Sequence, residues 1–282
     1  ISATVLKIEW GPQWLANSDP LSICDGRLTL TTALPVTVAD VTGATTIYFT
    51  PYTGNRIALF DGSKWKVYPF TEVSLALGTL TSGLPYDVFI YDNAGTLTLQ
   101  FTAWTNGTTR ATALVTQNGV LSLTGSLTRR YLGTFYTTST TQTESSFAKR
   151  NMWNYYNRVD LPMRVLEATN TWTYTTATWR QANGATGNQL EFVIGVAEEL
   201  LIAEVTVTAY NGGAANSANL CIAVGEDSTS SPAANTIGRL VTAVVAATIP
   251  ITGKASLQTY PTAGRHFYAW PEFSDAANTS TW

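Results

Sequence analysis

From residue 27 onward, apolar and polar positions alternate in short bursts. Runs at 27–31, 45–50, 56–60 and 65–70 are β-prone and are cut apart by Gly, Pro and Asn. Asp61-Gly62-Ser63-Lys64 predicts a tight hairpin turn between 57–60 and 65–68, and Asn93-Ala94-Gly95 predicts another between 86–91 and 96–104. Over 96–104 the alternation is nearly strict, placing Leu97, Leu99, Phe101 and Ala103 on one face of a strand. Asn118-Gly119 turns the chain again. The pattern is that of an antiparallel, barrel-like β-meander.

One segment changes period. Thr141 with Glu144 fits a capping box, and Ala148, Met152, Tyr155, Tyr156 and Val159 recur at helical spacing. This predicts one short helix over 143–157, ended by Leu161-Pro162. Its Met and aromatic stripe reads as core packing rather than a cofactor site. Beyond Arg164 the runs lengthen, at 189–194, 200–210, 220–224, 240–251 and 266–273, with long polar loops between them. Such a series predicts a jelly-roll-like β-sandwich. The expected organisation is all-β: an irregular N-terminal arm (1–24) carrying Trp10, Pro12 and Trp14, an antiparallel β domain (25–160), and a sandwich (161–282).

Composition changes this picture in one respect. Hydrophobic residues make up 45% of the 282, but charged residues only 12%, about half the usual share. Threonine fills much of the gap, as in Leu28-Thr-Leu-Thr-Thr-Ala33, and its neutral β-branched side chain suits a strand face. A free monomer ordinarily carries more surface charge. The chain is therefore expected to cover part of its surface in an assembly, against the alternative of a secreted monomeric β protein. Net charge is −3 with no Lys/Arg stripe, so no nucleic-acid partner is expected. No apolar run is long enough to cross a bilayer and no basic leader precedes one, so membrane insertion is not expected. Cys24 and Cys221 match no metal or redox spacing and read as separate buried thiols.

Candidate chemistry is sparse, and neither a cofactor nor a metal is expected. The single histidine, His266, lies in a strand-like run, has no cysteine partners for zinc and no Gly-x-Ser-x-Gly elbow to serve. It reads as a satisfied strand histidine. Glycosidase chemistry would need two converging carboxylates. Glu198-Glu199 with Glu204, and Glu226-Asp227, are the tight acidic clusters, but adjacent strand residues point to opposite faces unless a loop bends them. Neither cluster is flanked by aromatics that would form a sugar platform. Trp172, Tyr174 and Trp179 are the richer signal: they would contact a glycan or a neighbouring subunit if exposed, and would fill a sandwich core if buried.

Several stretches share a wording. They include Cys24-Asp-Gly-Arg-Leu-Thr-Leu, Asn55-Arg-Ile-Ala-Leu-Phe-Asp-Gly62, Gly83-Leu-Pro-Tyr-Asp-Val-Phe89, Arg129-Arg-Tyr-Leu-Gly-Thr-Phe135 and Trp172-Thr-Tyr-Thr-Thr-Ala-Thr-Trp-Arg-Gln181. Over roughly Cys24 to Gly195 the chain resembles a family of structural proteins, of tail or fibre type, from tailed bacteriophages and prophages. The resemblance implies a place in the virion, as a fibre or decoration subunit on head or tail, with copies of itself (a homotrimer) and other virion proteins as partners. It brings no catalytic residues. The alternatives are a receptor-binding module for a host surface glycan and a capsule depolymerase.

Overall fold

A computed structural model describes residues 7–10, 20–211, 218–234, 236–242, 250–276 and 279–282. The architecture is all-β: among the described residues the helical elements are two short 3₁₀ turns, Pro20–Ser22 and Ala182–Gly184.

The predicted hairpins form where the turn chemistry places them. Arg56–Phe60 pairs with Trp65–Pro69, and the Asp61 carboxylate closes the turn by accepting from Ser63 N and Lys64 N at 2.9 Å each. Pro85–Asn93 pairs with Thr96–Ala103 across Ala94-Gly95, both at positive φ (50° and 94°). That backbone matches the twist of a two-residue hairpin, and glycine reaches it without Cβ strain. Leu99 is buried on the predicted face, with Leu97, Phe101 and Ala103 packed beside it.

The centre of the molecule is a six-stranded sheet. Its path runs Leu114–Gln117, Val120–Leu123, Ser126–Tyr136, Pro85–Asn93 and Thr96–Ala103, with Met152–Asn154 also paired to Ser126–Tyr136. Both of its faces are covered. Tyr86, Val88, Ile90 and Phe135 enter one core with Leu28, Ile47, Phe49, Ile57 and Leu59, whereas Phe89 and Tyr131 enter a second core with Phe192, Leu201, Val205, Leu220 and Tyr268. Successive strand residues point to opposite faces, so Tyr86-Asp-Val-Phe-Ile90 supplies both cores. The register shifts between Tyr131 and Gly133, and Leu132 at this bulge joins Phe135 in the first core. Gly133 is required here, because a Cβ would lie 2.1 Å from the Trp153 carbonyl oxygen.

The predicted helix over 143–157 does not form. In its place lie three short strands: Thr143–Ser145, Lys149–Arg150 and Met152–Asn154. Isolated helices shorter than about 12–15 residues are marginal in water, so packing decides. Here packing favours alternation, since Met152 packs on the first core and the adjacent Trp153 is buried in the second. The supposed capping residue Glu144 instead accepts from Ser146 Oγ. Asn154 reaches across to Leu28, accepting from its backbone N (2.7 Å) and donating to its carbonyl (3.1 Å), as an extra strand would.

The second core draws Phe89, Tyr131 and Trp153 from before the expected boundary at Asp160, and one sheet also spans that position. Its order is Gly225–Glu226, Gly264–Ala269, Gln189–Ile194, Lys149–Arg150, Thr143–Ser145 and Val41–Ala44. Two further sheets also contribute to the second core. One contains Leu201–Asn211 with Ile251–Thr259; the other joins Arg180–Gln181, Pro271–Ser274, Ala218–Ile222 and Gly238–Thr242. Of the run expected at 240–251, residues 240–242 belong to the strand Gly238–Thr242, Ile251 opens the strand Ile251–Thr259, and 243–249 lie outside the described residues. The run at 266–273 is broken at Trp270-Pro271. The N-terminal arm is not wholly irregular: Lys7–Trp10 pairs antiparallel with the start of Leu201–Asn211, whose backbone offers an open edge. Pro12 and Trp14 lie outside the described residues. Cys24 and Cys221 are both buried, and no disulfide joins them.

Candidate functional site

The aromatic segment folds around a residue that sequence reasoning passed over. Thr173–Tyr174 pairs with Ser280–Thr281, and Arg180–Gln181 pairs with Pro271–Ser274, setting Arg180 opposite Glu272. The Glu272 side chain is fully buried. One carboxylate oxygen accepts from the Trp172 indole N–H at 2.7 Å; the other accepts from Arg180 Nε at 2.7 Å and from the Asn183 backbone N at 3.1 Å. Burial pushes the carboxyl's pKa up, and the Trp172 and Arg180 donors only partly offset it.

Of the three predicted contact residues, Trp172 bonds this carboxylate, Tyr174 lies under its partner Arg180, and Trp179 packs on the neighbouring Phe273. Trp172 meets Trp270 edge-on, with ring centroids 5.7 Å apart. Tyr174 is buried, with the Arg180 guanidinium 3.9 Å above its ring, and its hydroxyl donates to the Thr178 carbonyl at 2.9 Å. Trp179 is half-buried against Phe273 at 5.3 Å. Tyr174 is thus a core residue, while Trp179 and part of Arg180 reach the surface. These bonds from Trp172, Arg180 and the Asn183 backbone hold the 172–183 segment onto the strand Pro271–Ser274. The signal was available in the sequence: His266, Tyr268, Trp270, Glu272 and Ser274 fall on alternate positions, and all five are buried.

The other candidates are also held in pairs. His266 Nδ1 lies 2.8 Å from Asp227 and Nε2 lies 2.9 Å from the Thr262 carbonyl. Two acceptors favour the doubly protonated ring. Burial opposes that charge, but the bond to Asp227 prevails and the pKa is raised. Glu226 accepts from the Tyr268 hydroxyl at 3.2 Å, and Glu204 pairs with Lys254. Glu198 and Glu199 do converge, because they lie in a loop rather than a strand: both bond the Arg158 guanidinium. Aromatics do flank them in space, since Arg158 stacks 4.4 Å above Trp153 and Trp153 Nε1 donates to Glu199 at 3.3 Å. This pair ties the loop after Gln189–Ile194 to the central sheet.

A second buried carboxylate lies at the junction of the two cores. Asp87, 1% exposed, receives Arg110 through Nε (2.7 Å) and Nη2 (3.2 Å) and the Thr134 hydroxyl at 2.7 Å. Arg110 also donates to the Gly195 carbonyl and stacks 4.4 Å from the Trp104 ring. Gly195 fits because a Cβ there would lie 2.1 Å from the Tyr131 hydroxyl. Among the described residues no group of three or more His, Cys, Asp or Glu could hold a metal ion, and no helix is long and apolar enough to cross a membrane. Comparison with protein-family models, curated proteins and solved structures finds no match to the chain.

Proposed function

We propose that this protein is a structural subunit of a tailed-phage particle, a fibre or decoration protein that packs, as a homotrimer, against copies of itself and against other virion proteins. The observation that carries the reading is how little charge, 12% of residues, the chain has for its surface, with some of it buried. Asp87, Glu199, Glu272 and His266 are buried and occupied in bonds that fasten one strand or loop to another. The outside is left rich in threonine and carries exposed Leu34, Val38, Tyr52, Val67, Leu166, Ile237 and Tyr260. Such a surface is poor at keeping a monomer apart and well suited to broad, weakly polar contacts. The resemblance read in the sequence to phage tail and fibre proteins points the same way.

A second reading, recognition of a host surface glycan, draws on Trp179 and Phe273, two half-buried rings beside the partly exposed Arg180. A depolymerase ranks below both, since each candidate carboxylate already serves a structural bond. The test is to locate the protein in purified particles by reconstruction, and in parallel to incubate it with host capsule and lipopolysaccharide. Density in the virion without release of reducing ends is the expected result. Release that disappears in Glu199→Gln or Asp227→Asn would overturn the structural reading in favour of the enzyme.

A further inference from the structure

The chain has one histidine, the side chain whose ordinary pKa places its charge change nearest neutrality. His266 alternates with Tyr268 on the inward face of Gly264–Ala269 and is buried. A buried imidazole needs partners for both ring nitrogens, and here the two are served by unlike groups. Nδ1 faces the Asp227 carboxylate at 2.8 Å. Nε2 faces Thr262, whose carbonyl oxygen lies at 2.9 Å and whose hydroxyl lies at 3.5 Å. A carboxylate or a carbonyl can only accept, whereas a hydroxyl can also donate.

The two partners also differ in their freedom to move. Asp227 is fixed from three sides: its backbone N donates to the Phe267 carbonyl at 2.9 Å, its Oδ1 accepts from Phe267 N at 2.9 Å, and its Oδ2 meets the ring. Thr262 is exposed and lies in the connection 260–263, between Ile251–Thr259 and Gly264–Ala269. Around the ring stand Glu226, which accepts from the Tyr268 hydroxyl, and Arg265, which pairs with Glu191 at 2.8 Å. From Gln189–Ile194 the Phe192 ring packs on it, with centroids 5.8 Å apart. Burial opposes the charged ring, but the bonds to Asp227 and to the Thr262 carbonyl outweigh it and raise the pKa.

We propose that His266 and Thr262 form a pH-dependent latch: the imidazolium donates to the Thr262 carbonyl, and the neutral ring, keeping its proton on Nδ1, accepts from the Thr262 hydroxyl instead. The proton stays on Nδ1 because a bare nitrogen there would turn its lone pair on the fixed Asp227 carboxylate. The proton lost to solvent is therefore the one on Nε2. Its lone pair then faces the Thr262 carbonyl, and the connection relieves this by drawing the hydroxyl in from 3.5 Å to an ordinary hydrogen-bond length. The segment 260–263, with exposed Tyr260 at its head, so takes a second position. The latch stands apart from the virion reading and does not depend on it.

With a single histidine in the chain, its ring nitrogens give unambiguous NMR signals once histidine alone is isotope-labelled. The test follows them in the full chain from about pH 5 to about pH 9, which brackets the range in which histidine titrates. The expected result is a midpoint above the ordinary 6.5 and a neutral form that carries its proton on Nδ1. Thr262→Val, at an exposed position, removes the hydroxyl and keeps the carbonyl. It takes the donor away from the neutral ring, so the midpoint should move further up. Labelled Ala263 should report the second position, its amide signal moving with the ring's midpoint in wild type and losing most of that movement in Thr262→Val. A neutral ring protonated on Nε2, a midpoint unchanged or lowered by Thr262→Val, or an Ala263 amide that responds alike in the two proteins each overturns the proposal.

Discussion

Asp87 and Glu272 are both carboxylates buried beside an arginine, but the strands that carry them differ. Asp87 sits on the long strand Pro85–Asn93, whose two faces feed both cores, and its partner Arg110 is itself largely covered. Glu272 sits on the short strand Pro271–Ser274 and grips a segment with only two-residue strands, through an Arg180 that is 34% exposed. One ion pair anchors an arginine that also bonds the Gly195 carbonyl beyond the central sheet, whereas the other holds down a short segment. The same chemistry therefore has a global role in one place and a local role in the other, and what differs is how much structure stands on each side of the bond.

The largest effect is expected at the junction. Asp87→Ala strands the Arg110 guanidinium among Trp104, Tyr131 and the Gly195 carbonyl, and removal of one partner of a buried pair typically costs about 3–5 kcal/mol. Chemical denaturation should show both cores losing stability together. Retention of one core while the other melts would break the claim that the central sheet couples them.

Glu272→Gln should cost less, about 1–2 kcal/mol, because Arg180 can turn to water and the amide keeps some of the bonds. Hydrogen exchange should quicken across 172–183 with the central sheet unchanged. The raised pKa of Glu272 also fixes a sign. In the window between its ordinary value near 4.5 and its higher folded value, the folded state holds the proton that the unfolded state has lost. Stability from this group therefore falls as pH rises through that window, and Glu272→Gln should remove that slope.

A smaller effect belongs to His266. Its raised pKa means its contribution is fully present below about pH 6.5 and is lost as pH rises through the folded value. Asp227, pulled below its usual 3.8 by His266 and the Phe267 N–H in spite of burial, contributes above that value and loses its contribution as pH falls through the lower one. His266→Gln should flatten the alkaline side of the melting profile and leave the fold intact. An unaltered profile would mean that the Asp227 contact carries no charge.

Much of the fold was legible because local chemistry and tertiary packing agree there. The turns at Asp61, Ala94-Gly95 and Asn118-Gly119 and the face Leu97, Leu99, Phe101, Ala103 follow from side-chain hydrogen bonds, positive φ and period two. The segment over 143–157 misled because apolar residues between two cores need not share a face. Met152 and Trp153 satisfy a core each, so a helical spacing arises by coincidence. Glu272 went unseen for the opposite reason: its alternation with Tyr268 and Trp270 marks it as inward, but a lone glutamate does not announce the arginine that will meet it. Asp87 and Arg110 are separated by 23 positions, and only the meander that folds Trp104 and Arg110 back together brings them into contact.

The proposal that the surface exists to be covered is tested most directly by sedimentation of the purified full chain at micromolar concentration. A homotrimer of about three times 30.4 kDa is the predicted result, and a stable monomer near 30.4 kDa would contradict it.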